Sequence, residues 1–469
     1  SYGLLLVALV LGGFIFNTVV YTNPYLTVKD QEKRQADYEK QLKHYEFIPQ
    51  PKIIDVNVHA DIFPEERDAY SLATVLFVNK TDTVIDSLHM MSTDFSYFHA
   101  IYQGDTLNYR YPLNYDKPML QWFGRKKDKP WYKIYALPRP MQPGDTLELQ
   151  IASAIINTGF VNNGYSREVV HNGTFMGGSL PSIGYSQDLE LESDEKRKKY
   201  DLPEKPDDLP AYDDALGQRT LLFNDDADLV TFEATVSTTG DQIAIAPGYL
   251  QKEWMEGDRR YFHYVQDSKI DLFYNLVSAK YEVYEDTAKI PNGNDVKIQI
   301  FHHAPHNYNL DRFAAALKDG IEYYSKSYGS YQYRQIRLLE FPRYAGFAQS
   351  FPNTVPFAEG FGWIADFDDP NDFDYCYFVT AHELAHQWWG HQVVPNYTRG
   401  SNLISEAWAE YSALVLAERK YGKNNMERFL KEELDNYLRG RASENKKENT
   451  FINCNRSYQW YYKGSLILY

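Results

Sequence analysis

In the run Thr380-Ala381-His382-Glu383-Leu384-Ala385-His386-Gln387-Trp388-Trp389-Gly390, two histidines stand four residues apart with a glutamate directly after the first. No other stretch limits the fold as tightly, because this spacing is useful only on a helix. At about 3.6 residues per turn, His382 and His386 project from one face, one turn apart. Two imidazoles so placed can reach one ion. Zinc takes neutral imidazole nitrogen at about 2.0–2.1 Å, and a catalytic site keeps three protein ligands and an open position. Glu383 is placed to take a proton from water rather than to bind the metal. Phe378, Val379, Leu384, Ala385, Trp388 and Trp389 give the helix the broad apolar surface that a helix crossing a domain core needs.

A chain of 469 residues is too long for one ordinary core, so roughly two to four domains are expected. Its net charge of −16, with no Lys/Arg run on a plausible face, argues against a nucleic-acid partner. An aromatic share of 16% favours β-rich structure or aromatic-lined clefts. Cys376 and Cys454 make neither a disulfide framework nor a thiolate zinc site, and they leave the compartment open.

Residues 4–21, LLLVALVLGGFIFNTVVY, carry no charge and are just long enough to cross a bilayer. A signal peptide is the alternative, but there is no initiating Met, basic n-region or small-x-small cleavage site. Residues 1–23 are therefore read as a transmembrane segment that anchors the chain to membrane lipid, and the chain as cut from something longer. Lys29, Lys33, Arg34 and Lys40 are mixed with Asp30, Glu32, Asp37 and Glu39, so the side of the membrane stays open. Residues 24–50 form a stalk and linker: Thr27-Val28-Lys29-Asp30 resembles a capping box opening a charged helix to about Tyr45, and its alternating charges suggest a solvated face.

From residue 51 to 280 the hydrophobic period is two, as in Ile54, Val56 and Val58, in Leu147, Leu149 and Ile151, and in Phe232, Ala234 and Val236. This predicts an all-β, sandwich-like domain, interrupted at residues 187–214 by an exposed, charged and proline-rich insertion. Residues 281–469 mix periods and predict an α+β domain: a strand at Val296, Ile298 and Ile300, a helix from Leu310 to a stop at Gly329, and a strand over residues 336–341. His302, His303 and His306 sit at a strand end and loop with no helix to fix them, and are read as non-ligating. The acidic run Asp366, Asp368, Asp369, Asp372 and Asp374 lacks EF-hand spacing and is read as capping the His382 helix.

A third metal ligand must follow His386. His391 is five residues on, and the positions that a metzincin fills with Gly and His hold Trp389 and Gln392, so His391 fails. Glu406 and Glu410 lie on a second helix, over residues 403–421, whose buried face is expected at Leu403, Ala407, Tyr411, Leu414 and Val415. On spacing alone, either carboxylate can project toward the first helix.

The two segments, with Ser405-Glu406-Ala407-Trp408-Ala409-Glu410-Tyr411 as the second, resemble the gluzincin aminopeptidases of the aminopeptidase N type. The resemblance implies a thermolysin-like zinc peptidase domain with one Zn2+ held by His382, His386 and Glu406, although the gap before Glu406 is one residue longer than the family's usual spacing. The family's Tyr-x-Lys-Gly signature falls on Tyr461-Tyr462-Lys463-Gly464, which implies that Tyr461 supports the oxyanion; its C-terminal helical domain is not found before Tyr469. The Gly-Ala-Met-Glu-Asn stretch, whose Glu holds a free α-amine, falls on Gly346-Phe347-Ala348-Gln349-Ser350, which makes Gly346, Gln349 and Ser350 the implied substrate contacts and leaves a neutral amide where the family has an acid. The family's other substrate-contacting segment is replaced by Asn172-Gly173-Thr174-Phe175-Met176-Gly177-Gly178-Ser179. The span, the stalk and Phe351-Pro352-Asn353-Thr354 look like the subset in which this peptidase follows an ABC transporter permease, which implies other transporter subunits as partners.

The resemblance thus implies a membrane-anchored zinc metallopeptidase acting on peptides, aminopeptidase-like with weakened free-amine specificity, with Glu383 and Tyr461 catalytic. The competing expectation is a tethered module that keeps zinc and binds peptides without turnover.

Overall fold

The computed structural model describes residues 2–23, 25–114, 131–160, 168–205, 209–290, 293–367, 369, 373–444 and 447–469. It is mixed α+β and divides into two compact units whose segments interleave along the chain. The first comprises residues 1–171, 179–206 and 234–239, and the second comprises residues 172–178, 207–233 and 240–469.

In the first unit one helix is long and apolar enough to cross a membrane, Tyr2–Thr22, which is α-helical to Phe16 and π-helical from Asn17. The outward apolar side chains end where Thr18, Val19 and Val20 become buried. A helix follows at Val28–Leu42, and the capping box is present: the Thr27 hydroxyl accepts from the Asp30 N–H while the Asp30 carboxylate accepts from the Thr27 N–H. The antiparallel strands Lys52–Phe63 and Asp68–Val78 pair directly, and the second continues through Thr146–Ile155 to Tyr97–Tyr102. Alternation places Val56, Val58, Ala60 and Ile62 on the buried face of the first strand.

One expectation is corrected here and a second is refined. The helix at Val28–Leu42 is not a solvated stalk: Tyr38 is fully buried and stacks on Tyr185 with ring centroids 4.8 Å apart. The charge run after residue 187 is exposed as expected at Asp194, Glu195, Lys196, Lys198 and Lys199, with one exception. Its Asp194–Lys199 helix buries Arg197, whose guanidinium grips Glu39 through two bonds of 2.9 and 2.7 Å and also donates to the Leu191 and Pro203 carbonyls. A charge pattern reads as solvated until a partner of opposite sign, distant in sequence, neutralises it.

In the second unit a four-stranded sheet holds the site. Glu282–Ala288 runs antiparallel to Val296–His302, and Val296–His302, Gln335–Phe341 and Thr354–Ala358 are successively parallel. Every residue of Gln335–Phe341 is buried, as a central parallel strand requires. The helix Leu310–Ser327 supplies the crossover between the first two parallel strands. It packs against the Tyr375–Ala385 helix at Gly320, where an added Cβ would stand 2.5 Å from a Leu384 methyl and would require that side chain to shift. Trp408–Tyr421 joins the same core, but its buried set, which includes Ala409, Ser412, Ala413, Leu414, Leu416 and Ala417, is wider than the predicted face, and Leu403, Tyr411 and Val415 are only half-buried. Cys376 and Cys454 are both free and buried.

Candidate metal centre

Nine of the eleven residues of Tyr375–Ala385 are buried, so this helix does cross a core as its apolar flanks predicted. Asp374 starts it: one carboxylate oxygen accepts from the Tyr377 N–H at 3.0 Å, while the other binds Arg312 at 2.8 Å and the Tyr421 hydroxyl at 2.7 Å. Three helices are thereby tied at one point. Asp368 and Asp372 lie outside the described residues. The α-helix ends at Ala385, yet His386 keeps helical dihedrals and its N–H reaches the His382 carbonyl at 3.3 Å, so the four-residue spacing still puts both rings on one face.

The two imidazoles meet through Nε2, 3.0 Å apart. Glu406 Oε2 lies 3.3 Å from His386 Nε2 and 3.6 Å from His382 Nε2. Four-coordinate zinc with bonds of about 2.0–2.1 Å sets its ligand atoms about 3.3 Å apart, so this triangle fits the ion. Both rings are held from behind. His386 Nδ1 faces the Trp389 carbonyl at 3.0 Å and His382 Nδ1 lies against the Glu410 carboxylate, leaving the Nε2 atoms for the centre. Glu406 Oε2 and Glu383 Oε2 are buried with no hydrogen-bond partner, a cost that a cation and a water at this point would remove.

The cluster attracts positive charge. Burial alone would raise the Glu406 carboxyl, but His386 and His382 beside it hold it well below the usual carboxylate range. Burial alone would lower His382, but Glu410 and Glu406 raise it well above an ordinary imidazole, and Glu406 raises His386 against its burial. Glu383 is raised by burial against the pull of both histidines, the direction a general base needs to work near neutral pH. Tyr461 stacks on the His382 ring with centroids 5.9 Å apart, and burial followed by the Glu406 charge pushes its phenol far up, so it stays a donor.

Glu406 and Tyr461 each occupy a π-helical turn, Leu403–Ala407 and Gln459–Lys463. Such turns hold one residue more than an α turn and recur at functional sites. The Gly464 that closes the Tyr461 turn lies against Ala407: a Cβ there would stand 2.6 Å from the Ala407 Cβ. Glycine at this position lets the two turns meet.

Of the residues singled out in sequence, His382, His386, Glu406, Glu383 and Tyr461 come together here. Glu410 stands behind His382 rather than in the triangle. His391 is outside it, with Nε2 at the Ser350 carbonyl, and burial lowers it to about 3. Gly346 is exposed, and Gln349, half-buried, makes no side-chain hydrogen bond among the described residues. Ser350 is buried, and its hydroxyl accepts from Gln387 at 2.6 Å. The Gly173 carbonyl accepts from the Tyr344 hydroxyl at 3.0 Å.

Sequence reasoning missed two features. Glu433, on the Glu427–Ala442 helix, is buried, hydrogen-bonded to Glu410 and, at 2.8 Å, to the Ser465 hydroxyl. Burial and then Glu410 push its carboxyl up to about 10. An aromatic run also starts at Phe223, beside Gly390, and continues through Phe273, Phe351 and Phe175 to Phe347, with successive ring centroids 5.7, 4.7, 6.4 and 6.0 Å apart. No periodicity announces either, because their members come from distant segments.

No protein-family model matches the chain, and no curated protein matches it. Solved structures do. An M1 zinc metallopeptidase from Deinococcus radiodurans superposes with a TM-score of 0.54 at 16% identity, covering 89% of this chain and 81% of its own. A point mutant of an M1 zinc metallopeptidase from the same organism gives 0.54 at 15% identity with the same coverage. A two-domain M1 zinc metallopeptidase mutant bound to L-tryptophan gives 0.54 at 15%, covering 89% and 82%. At these identities the likeness establishes the fold: the chain has the architecture of the M1 zinc metallopeptidases.

Proposed function

We propose that this chain hydrolyses peptide bonds with one zinc ion held by His382, His386 and Glu406. The convergence of those three ligand atoms at 3.0, 3.3 and 3.6 Å, beside an unpartnered buried Glu383 oxygen, carries the reading. Bound there, the ion supplies Lewis-acid polarisation of the scissile carbonyl. Glu383 takes the proton of the attacking water and returns it to the leaving amine. Tyr461 donates its hydroxyl to the developing oxyanion. Glu410 and, behind it, Glu433 keep the His382 ring oriented. The aromatic run beside Gly390 and the Gln349 segment suits apolar substrate side chains.

The substrate reading is aminopeptidase-like with weakened preference for a free N-terminus, since Gln349 offers a hydrogen bond without a countercharge. Gly346 and Ser350 are assigned to the same substrate strip, Ser350 through its backbone because its hydroxyl is engaged by Gln387. We assign the β-rich residues 51–280 and the metal-bearing residues 281–469 as the functional domains. Residues 1–23 are assigned as a membrane anchor, and a transporter permease as the tethering context. The apolar helix Tyr2–Thr22 supports the anchor.

The deciding experiment uses the full chain with a peptide library and metal analysis. Glu383→Gln keeps one zinc at this centre and loses hydrolysis by about 10²–10⁴-fold, whereas His386→Ala loses both. A folded wild-type protein that takes up no zinc here sinks the proposal. Gln349 also favours a second reading, a zinc-bearing peptide-binding module without turnover. Hydrolysis above the Glu383→Gln background decides against that module.

A further inference from the structure

A second cluster of metal-type donors lies elsewhere in the same unit, and the mechanism above does not use it. Val296–His302, Gln335–Phe341 and Thr354–Ala358 are neighbouring parallel strands, so their C-terminal ends open on one edge of the sheet. Each end delivers one donor. His306 follows the first strand, Glu340 is the next-to-last residue of the second, and Glu359 directly follows the third. One ligand atom from each lies within 4.8 Å of the others.

The arrangement is more than an ion pair. Glu340 has no exposed side-chain surface; one of its oxygens accepts from the His303 N–H at 2.7 Å and the other lies against His306 Nδ1. Glu359 brings a second carboxylate to the same imidazole, its Oε1 at 3.7 Å from His306 Nε2. That gap exceeds a hydrogen bond and lies near the edge of about 3.3 Å that a four-coordinate zinc-type ion spans. The other Glu359 oxygen accepts from the Arg343 N–H at 3.1 Å, which steers the side chain. With both carboxylates ionised, a single imidazolium leaves one charge over, whereas a dication with neutral His306 balances them. His303 adds a buried Nε2 with no hydrogen-bond partner at the same strand end, its ring 6.1 Å from that of His306.

We propose that His306, Glu340 and Glu359 form a second divalent-cation site that clips together the ends of three parallel strands. One imidazole with two carboxylates suits a first-row transition ion such as Zn2+. Ca2+ needs six to eight oxygens, and two carboxylates do not supply them. The site stands independently of the peptidase reading.

The test uses the full chain, stripped with chelator, titrated with Zn2+ and assayed for bound metal after dialysis. Wild type should hold two ions per chain. His306→Ala and Glu359→Gln, both at partly exposed positions, should each hold one, as should His386→Ala, and His306→Ala/His386→Ala none. Circular dichroism confirms folding, and Glu359→Gln removes a ligand with little change of volume. Retention of two ions in folded His306→Ala or Glu359→Gln overturns the proposal, and so does a wild type that holds a single ion lost in His386→Ala. An ion lost in His306→Ala but unaffected by His386→Ala would leave this site standing while the catalytic reading fell.

Discussion

At the scale of single residues, the proposed substrate contact Gln349 makes a prediction about what the substrate must carry. One desolvated charge-assisted bond is worth about 1.5–3 kcal/mol, roughly tenfold to over a hundredfold in selectivity, and a neutral amide forgoes much of it. N-acetylated peptides should therefore be cleaved within about tenfold of their free-amine versions, and Gln349→Glu should move preference toward free amines. kcat/KM for an acetylated and a free peptide of one sequence measures this, and an inert acetylated peptide beside a well-cleaved free one refutes it. Glu433 makes a pH prediction. Its carboxyl titrates near 4.5 when unperturbed and at about 10 in the fold, so the folded state binds the proton more tightly. The stability this contributes is fully present below pH 4.5 and is lost as pH rises toward about 10. Glu433→Gln, which keeps a neutral hydrogen-bonding group, should flatten that decline. Melting temperatures of chelator-treated wild type and variant between about pH 6 and 9 check it, and parallel curves would show that Glu433 ionises freely.

At the scale of elements, the Val28–Leu42 and Asp194–Lys199 helices are joined by a buried charge pair, Glu39 with Arg197, each side chain under 5% exposed. Removing one partner strands the other in a place without water. Arg197→Ala should therefore cost about 3–5 kcal/mol, while Glu39→Leu/Arg197→Met should cost far less because no charge is left unpaired. Urea unfolding midpoints of the two variants separate these outcomes; equal losses would mean the pair acts through packing alone. Elsewhere the elements matter as carriers. The π turns around Glu406 and Tyr461 aim two side chains from separate helices at His382, and Gly464 lets those turns touch.

At the scale of the whole molecule, the apolar side chains of Tyr2–Phe16 point outward, with Leu4 77% and Leu9 65% exposed, a surface that water does not tolerate. The full chain should partition into liposomes or require detergent, whereas a chain lacking residues 2–16 should stay soluble and keep the metal centre. Flotation with vesicles tests this, and a full chain that stays free of vesicles refutes it. The apolar helix at residues 2–22, the capping box at Thr27, the period-two strands and the His382 helix were all legible in the sequence, because each depends on residues close together in the chain. Glu383 was legible in the His382 motif itself, whereas Glu406 and Tyr461 came only through the family resemblance, because spacing alone left Glu410 equally open. Folding alone decided that Arg197 is buried on Glu39, that Glu433 stands behind Glu410, that Phe223 and Phe273 join one aromatic run, and that Glu340 and Glu359 meet His306. Each of those meetings joins segments distant in the chain, and local periodicity holds no information about which distant partner will neutralise a charge or complete a ligand set.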